Sequence, residues 1–236
     1  MTMNSPIRHA AAATPTTRRA VRPIALGFGL TLLLGVVACV DPARDTAKPS
    51  VVAAAAAVTP DQVQGIVHMC SSCHGPTGQS ISPTFPRLAG QQEAYLEAQL
   101  KAFRDHTRAD PHAHTYMWGM AQHLSDPMIE GLAAYFSSQK PASPAAGDPQ
   151  LVAAGGKLFM EGDAGKGIPI CQSCHGDHAL GTDTIPRLAS QHHDYLMEQL
   201  KNFASNARNN EIMHENAKTL TEDQIEQLAT YLAAQP

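Results

Sequence analysis

The chain has 236 residues, a length typical of one or two domains, with only 5% aromatic and 16% charged residues. So few aromatic side chains predict a thin hydrophobic core that a metal or a cofactor would complete. From Cys39 onward there are 13 basic and 21 acidic residues, a net charge of −8, and no basic run. This composition argues against nucleic-acid binding, which depends on contacts to phosphates.

Residues 1–38 have the features of an export signal. A basic region that ends at Arg22 precedes an uncharged stretch from Pro23 to Cys39, which is typical of a signal peptide rather than a stable membrane span. The stretch closes in "VVAC", which is similar to the lipobox of bacterial lipoproteins, so Cys39 is the predicted lipidation site. The alternative is ordinary signal-peptidase cleavage within "VVAAAAAV", which would discard Cys39.

The remainder of the chain is an internal duplication. The block "FPRLAGQQEAYLEAQLKAF" that begins at Phe85 matches "IPRLASQHHDYLMEQLKNF", which begins at Ile185. The block "LSDPMIEGLAAYF" from Leu124 matches "LTEDQIEQLATYL" from Leu220. Matches in the same order at nearly the same offset indicate two copies of one structural unit.

The duplication predicts the domain organisation. Copy one is residues 59–140 and copy two is residues 151–236. The Pro/Ala/Gly-rich linker between them is residues 141–150. Residues 39–58, rich in Ala and Pro, are predicted to form a tether between the export signal and copy one.

Each copy is predicted to consist of helices. Thr59 and Gln62 have the spacing of a capping box, with Pro60 at the first helical position, and predict a helix that runs toward Cys70. No alternating strand pattern is found, so the predicted class is all-α. Apolar residues recur at helical spacing in both copies: Leu96, Leu100, Phe103, Ile129, Leu132, Ala133 and Phe136, and then Leu196, Leu200, Phe203, Ile225, Leu228, Ala229 and Leu232.

Each copy also contains a Cys-x-x-Cys-His motif, "CSSCH" from Cys70 and "CQSCH" from Cys171. Paired zinc knuckles are usually about 15–20 residues apart, whereas these motifs lie in separate copies with no further cysteine. A thioredoxin-like motif would lie beside βαβ units, which the sequence does not predict. Cys-x-x-Cys-His is the attachment signal of c-type haem. We therefore expect two covalently bound haem c groups, held by Cys70, Cys73 and His74 and by Cys171, Cys174 and His175.

The sixth iron ligand separates an electron carrier from a catalyst, because methionine fills the iron that ligand chemistry would need open. Position in the repeat selects Met213 in copy two and, by the 96-residue offset, Met117 in copy one. Met120 is an alternative to Met117. The longer segment "DPHAHTYM" of copy one also leaves His112 and His114 as alternative ligands.

The two "PRLA" sequences predict support for the iron-binding histidines. The carbonyls of Pro86 and Pro186 are expected to accept the second ring N–H of these histidines and so to orient the rings. Arg87 and Arg187 follow at equivalent positions, either to pair with haem propionates or to lie in solvent.

From Thr59 to Pro236 the chain resembles the cytochrome c4 family, on the paired Cys-x-x-Cys-His motifs, "FPRLAGQ" with "IPRLASQ", and the "LAAYF" and "LATYL" helices. The resemblance implies two tandem class I cytochrome c domains and electron transfer without substrate chemistry. It implies redox partners, with electrons passing from a quinol-oxidising complex toward a terminal oxidase or another cytochrome. The family's axial methionines map onto Met117 and Met213.

The predicted function is therefore that of an exported dihaem electron carrier, not an enzyme, in the periplasm and anchored to the membrane through Cys39. Copy one carries a net charge of −2 and copy two of −5, so a basic partner is expected to dock on copy two. One alternative is a haem-bearing subunit of a larger oxidase or dehydrogenase. Another is a dihaem peroxidase-like enzyme with one open iron.

Overall fold

The computed structural model describes residues 58–236 of the chain. Within this range each copy forms its own set of helices joined by loops. Copy one contains α1 (Pro60–His74), α2 (Glu93–Arg104), a π-helix (Ala113–Met117), α3 (Trp118–Ala121) and α4 (Asp126–Ser137). The second set comprises α5 (Pro149–Glu161), α6 (Gln172–His175), α7 (His193–Ala204), α8 (Glu211–Ala217) and α9 (Glu222–Ala233), with 3₁₀ turns at Ala164–Lys166 and Asp177–Ala179.

The predicted all-α class is confirmed, because the only β-structure within residues 58–236 is two isolated bridges. None of the helices in this range combines the length and the apolar character needed to span a bilayer. The predicted export signal, Cys39 and nearly all of the predicted tether lie outside the described residues.

Capping boxes start the first helix of copy one and the last helix of copy two. The Gln62 N–H donates to Thr59 Oγ1 at 3.3 Å, and the Thr59 N–H donates back to Gln62 Oε1 at 2.9 Å. Thr221 and Gln224 repeat this pair at 3.3 and 3.0 Å. Each box satisfies backbone donors that a helix start leaves free, and the box predicted at Thr59 is confirmed.

The two haem-attachment motifs lie at the ends of helices of unequal length. In copy one α1 continues without a break to His74, whereas in copy two the short α6 carries only the end of the motif. Glycine follows the histidine in both copies, Gly75 with φ 79° and Gly176 with φ 73°. Only glycine adopts this backbone conformation without strain, so each helix ends directly after its histidine.

Each copy has its own hydrophobic core. In copy one Ile129, Leu132 and Phe136 of α4 pack against Leu96 and Phe103 of α2. In copy two α9 packs against α5 and α7, and the corresponding leucines lie in a second, separate cluster. The apolar stripes predicted from the sequence therefore face the two cores.

The linker lies along copy two. The Ala145 N–H donates to the Ala233 carbonyl at 2.9 Å, and α5 begins at Pro149, two residues before the predicted start of copy two. Both copies belong to one compact unit.

Candidate functional site

A hydrogen bond fixes the ring of His74 at the end of α1. His74 is only 7% exposed, and its Nδ1 lies 2.8 Å from the Pro86 carbonyl, to which Nδ1–H donates. Burial lowers the pKa of His74, although the bond to Pro86 opposes the shift. The neutral ring therefore carries its proton on Nδ1 and keeps the Nε2 lone pair for a ligand.

Copy two repeats this arrangement with a longer bond. His175 is 8% exposed, and its Nδ1–H donates to the Pro186 carbonyl at 3.2 Å. Burial again lowers the pKa of the imidazole, and the bond to Pro186 again opposes the shift. The contacts expected between these histidines and prolines are thus present in both copies.

The cysteines of the two motifs form no disulfides and are unlike redox-active pairs. Burial raises the pKa of the Cys70 thiol and of the Cys171 thiol. Reactive Cys-x-x-Cys pairs instead have a lowered pKa, because the thiolate is the nucleophile. The environment of Cys70 and Cys171 therefore does not favour redox exchange, and Cys73 and Cys174 are exposed beside them.

A structural zinc site is not assembled around either motif. Within residues 58–236 no group of three or more His, Cys, Asp or Glu side chains is placed to hold a metal ion. Structural zinc requires four such ligands, so each motif would remain incomplete as a zinc site.

The candidate axial methionines lie on different kinds of helix. Met117 ends the π-helix and is half-buried, whereas Met120 is 39% exposed on α3. Met213 is half-buried on α8, where its backbone N–H donates to Asn210 Oδ1 at 2.9 Å. Burial therefore favours Met117 over Met120 as the residue that turns inward.

In copy one the structure brings the haem-attachment motif and the methionine segment together. Cys70 and Met117 both pack against the copy-one core. The Phe85 ring lies edge-on to His74, at 6.1 Å between centroids, and to Tyr116, at 5.5 Å. His74 and the segment ending at Met117 thus border the same apolar region.

The alternative histidine ligands of copy one have other neighbours. His112 Nδ1 lies 3.0 Å from Glu198 Oε2 of copy two. The His114 ring is exposed and lies edge-on to Trp118, with 4.6 Å between centroids. These contacts favour methionine over histidine in this segment.

Two glutamines join the copies through a reciprocal set of hydrogen bonds. Gln91 accepts from the Arg187 N–H at 2.7 Å and donates to the Arg187 carbonyl at 2.9 Å. Gln191 does the same with Arg87, at 2.8 and 3.0 Å. The guanidinium of Arg87 also donates to the Ser190 carbonyl. Because both glutamines are buried, these bonds fix the relative position of the two "PRLA" loops.

Two buried arginines form a second layer of this interface. Arg108 donates to Gln99 Oε1 at 2.9 Å within its own copy and to Gln199 Oε1 at 3.0 Å across the interface. Arg208 mirrors it, donating to Gln199 at 2.7 Å and to Gln99 at 2.8 Å. The carboxylate of Asp110, fully buried, pairs with Arg108 at 2.7 Å.

Both copies are similar to known proteins. The family model "Cytochrome c" matches residues 61–140, and the model "Cytochrome C oxidase, cbb3-type, subunit III" matches residues 162–232. Cytochrome c-552 of Acidithiobacillus ferridurans is 42% identical over 70% of this chain and 73% of its own length. Cytochrome c4 of Azotobacter vinelandii is 39% identical over 72% of this chain and 85% of its own length.

The structure of cytochrome c4 from Acidithiobacillus ferrooxidans aligns with a TM-score of 0.67 at 41% identity, over 70% of this chain and 97% of that one. The chain belongs to the cytochrome c4 family. It is therefore a dihaem electron-transfer cytochrome of two tandem cytochrome c domains, with two covalently bound haem c groups. The fold, cofactor and general function predicted from the sequence are confirmed.

A further relative is named for the enzyme whose electrons it accepts. The thiosulfate dehydrogenase electron acceptor of Thiomonas intermedia is 38% identical over 71% of this chain and 78% of its own length. By its name, that relative accepts electrons from another redox protein.

The donor set of the two sites fits haem c. Each copy offers two thiols without a disulfide, and a buried imidazole whose Nδ1 is occupied by a carbonyl. Each also offers a half-buried thioether on a later helix. Thioether attachment, histidine ligation and methionine ligation need these groups.

Sequence reasoning missed the interface between the copies. The residues that build it are identical at an offset of 100, namely Gln91 and Gln191, Tyr95 and Tyr195, Gln99 and Gln199, and Arg108 and Arg208. Identical polar residues at matching positions of the two copies were the available signal. His192 adds a contact between the copies, because its Nε2–H donates to the Ser80 carbonyl of copy one at 2.9 Å.

Proposed function

We propose that each domain holds its haem through its own Cys-x-x-Cys-His motif and one later methionine. Haem 1 is held by Cys70, Cys73, His74 and Met117 within residues 59–140. Haem 2 is held within residues 151–236 by the counterparts of these residues, Cys171, Cys174, His175 and Met213. The observation that carries the proposal is the repeated bond between a buried histidine and a proline carbonyl directly after a Cys-x-x-Cys pair.

The surrounding residues adapt the two sites to electron transfer. When bound, each haem takes up and releases one electron at its iron. The Pro86 and Pro186 carbonyls orient the imidazoles and raise their basicity, which stabilises the oxidised iron. Met117 and Met213 would serve as the second protein ligands of the two irons, which would leave no position for a substrate.

Histidine variants test this assignment. His74→Gly and His175→Gly are each expected to convert one haem of two to a high-spin form while leaving the other low-spin. The visible spectrum of the purified holoprotein measures this directly. Two low-spin haems in either variant would show that the motif histidine is not the ligand.

We infer a periplasmic location with a lipid anchor at Cys39. The basic and apolar leader followed by "VVAC" supports this proposal, as does the tether of residues 39–58, which would place the domains clear of a bilayer surface. Cys39→Ser is expected to move the haem protein from the membrane to the soluble fraction of the cell. An unchanged distribution would contradict lipidation.

The proposed partners are a quinol-oxidising complex as donor and a terminal oxidase or another cytochrome as acceptor. Thiosulfate dehydrogenase is a second candidate donor, supported by the relative that serves as its electron acceptor. The net charge of −5 on copy two favours a partner with a basic docking surface. Electron-transfer rates with purified donors should then fall as ionic strength rises; a flat dependence would contradict docking by charge.

A carrier differs from an enzyme in its response to small ligands. Two six-coordinate irons should bind cyanide slowly and leave hydrogen peroxide unconsumed, because methionine must dissociate first. Rapid binding to one iron would instead support the peroxidase-like alternative. Purification in a stable complex would support a permanent subunit of a larger oxidase or dehydrogenase.

A further inference from the structure

The segment that carries Met213 is held from within copy two. Asn210 is the N-cap of α8, and its Oδ1 accepts from the Met213 N–H at 2.9 Å. Such a cap satisfies one of the donors that a helix start leaves free. The backbone of this methionine is therefore fixed by a residue three positions before it.

The corresponding segment of copy one lacks that cap. Asp110 occupies the position of Asn210 at an offset of 100, but its Oδ2 accepts from Arg108 Nε at 2.7 Å, and its buried Oδ1 has no hydrogen-bond partner. The chain then winds into the π-helix Ala113–Met117, whose start no side chain caps. π-helices are rare and are frequently found at functional sites. Because no side chain caps the start of this one, other contacts hold it in place.

One of those contacts runs through Arg108. Its guanidinium Nη2 donates to Gln199 Oε1 of copy two at 3.0 Å. Its backbone carbonyl accepts from Trp118 Nε1 at 2.8 Å, and Trp118 directly follows Met117. Arg108 thus connects copy two to both ends of the methionine segment, through Asp110 at one end and Trp118 at the other.

A second contact reaches the middle of the segment. His112 Nδ1 lies 3.0 Å from Glu198 Oε2, an ion-pair distance at which the N–H is not aligned on the oxygen. This pair has no counterpart, because Ala98 occupies the position of Glu198 in copy one. The shorter segment of copy two also contains no histidine before its methionine.

We propose that Glu198 and Gln199 of copy two are positioning residues for Met117 of copy one. Together with Arg108, Asp110 and His112 they form what we call the cross-copy brace. The proposal rests on the assignment of Met117 as the axial ligand under the proposed function. Its consequence is a difference of degree: Arg208 repeats the arginine contact by donating to Gln99 of copy one, but copy two also has its Asn210 cap and copy one has the added His112–Glu198 contact. Methionine ligation in copy one therefore depends more on the other copy than ligation in copy two does.

The test uses the full-length holoprotein with Glu198→Ala. The side chain of Glu198 is 29% exposed, and Glu97 of α2, at 27%, is a matched control because it pairs with Lys101 inside copy one. The fraction of copy-one iron without methionine should rise about two- to five-fold in Glu198→Ala and stay constant in Glu97→Ala. The near-infrared band of methionine bound to ferric haem and a spectroelectrochemical titration of the two potentials measure this fraction. Only one potential should change, and Glu198→Asp, which keeps the carboxylate, should retain more of the band than Glu198→Ala.

A second variant keeps the test decisive. His112→Ala should reproduce Glu198→Ala, and the double variant should add nothing further. Equal behaviour of Glu198→Ala and Glu97→Ala, or equal changes at both haems, would overturn the brace. Met117→Ala in the same assay distinguishes a failure of the cross-copy brace from a failure of the ligand assignment. If it removes half of the band while Glu198→Ala does nothing, the brace alone is wrong; if it removes none, the ligand assignment fails as well.

Discussion

The segments that carry Met117 and Met213 are held by different contacts in the two copies. In copy two the polar side chain of Asn210 caps the helix that carries Met213. In copy one the carboxylate of Asp110 is buried against Arg108, and the longer chain forms a π-helix before Met117. A duplicated fold can therefore keep a methionine at the same place in the repeat although the contacts around it change from a local cap to a set that includes the other copy.

The largest difference between the two copies is expected when the attachment motif of one copy is removed. Cys70→Ser combined with Cys73→Ser should lower the haem content from two to one per chain, because a hydroxyl cannot form the thioether. Cys171→Ser with Cys174→Ser should do the same for the other copy. Pyridine haemochrome assay of the purified chains measures the content, and two haems in either double variant would contradict the attachment sites.

The next largest effect is expected from the methionines. Met117→Ala and Met213→Ala should each remove half of the near-infrared band. Each should also lower one potential by on the order of a tenth of a volt, part of the roughly 0.8 V range that axial ligands control. Met120→Ala is the control and should change neither. A loss of band in Met120→Ala would move the ligand of copy one to that residue.

Much of the fold and of the attachment chemistry could be predicted from local sequence. The capping box at Thr59 and the stripe Ile129, Leu132 and Phe136 depend on spacing within a few residues, and the structure shows both. The Cys-x-x-Cys-His motifs carry their chemistry in five adjacent residues.

The interface could not be predicted in the same way, because its partners lie about 100 residues apart. Arg87 was expected either on a propionate or in solvent, whereas it donates to the Ser190 carbonyl of the other copy. In the segment before Met117, Arg108 and His112 contact Gln199 and Glu198 of copy two, and no local pattern contains these contacts. Both sets of contacts join the two copies, so the helix propensity of residues within one copy does not predict them.

The glutamine pair tests whether the interface is symmetric. Gln91→Ala leaves the partly buried Arg187 N–H without its partner, and Gln191→Ala does the same to Arg87. Each should lower the free energy of unfolding by about 1–3 kcal/mol, by nearly equal amounts. Denaturant unfolding followed by circular dichroism measures this loss, with the exposed Gln122→Ala as control. Clearly unequal losses would show that one copy carries most of the interface.

The smallest effect concerns pH and compares His192 with Gln92, which occupies its position in copy one. His192 donates to the Ser80 carbonyl at 2.9 Å, and Gln92 donates to the Leu180 carbonyl at 3.0 Å. Burial, followed by the charge of Arg87, lowers the pKa of His192 from its usual 6.5. Below that pH the unfolded chain binds a proton that the folded chain does not, so stability falls as pH drops.

His192→Gln should remove this part of the pH dependence, which is small because the ring is only half-buried and solvent screens its charge. Thermal unfolding of the holoprotein between pH 7.5 and about pH 5 compares the variant with the parent chain. Parallel curves would show that His192 does not contribute.

The most direct test of the account is the visible and near-infrared spectrum of the oxidised protein together with a haem count. The account predicts two haems per chain, both low-spin and both showing the methionine–iron(III) band. A band of half strength or a high-spin component would contradict it. One iron would then lack methionine, with the segment around His112 and His114 as the place to look and the enzyme alternative as the better description.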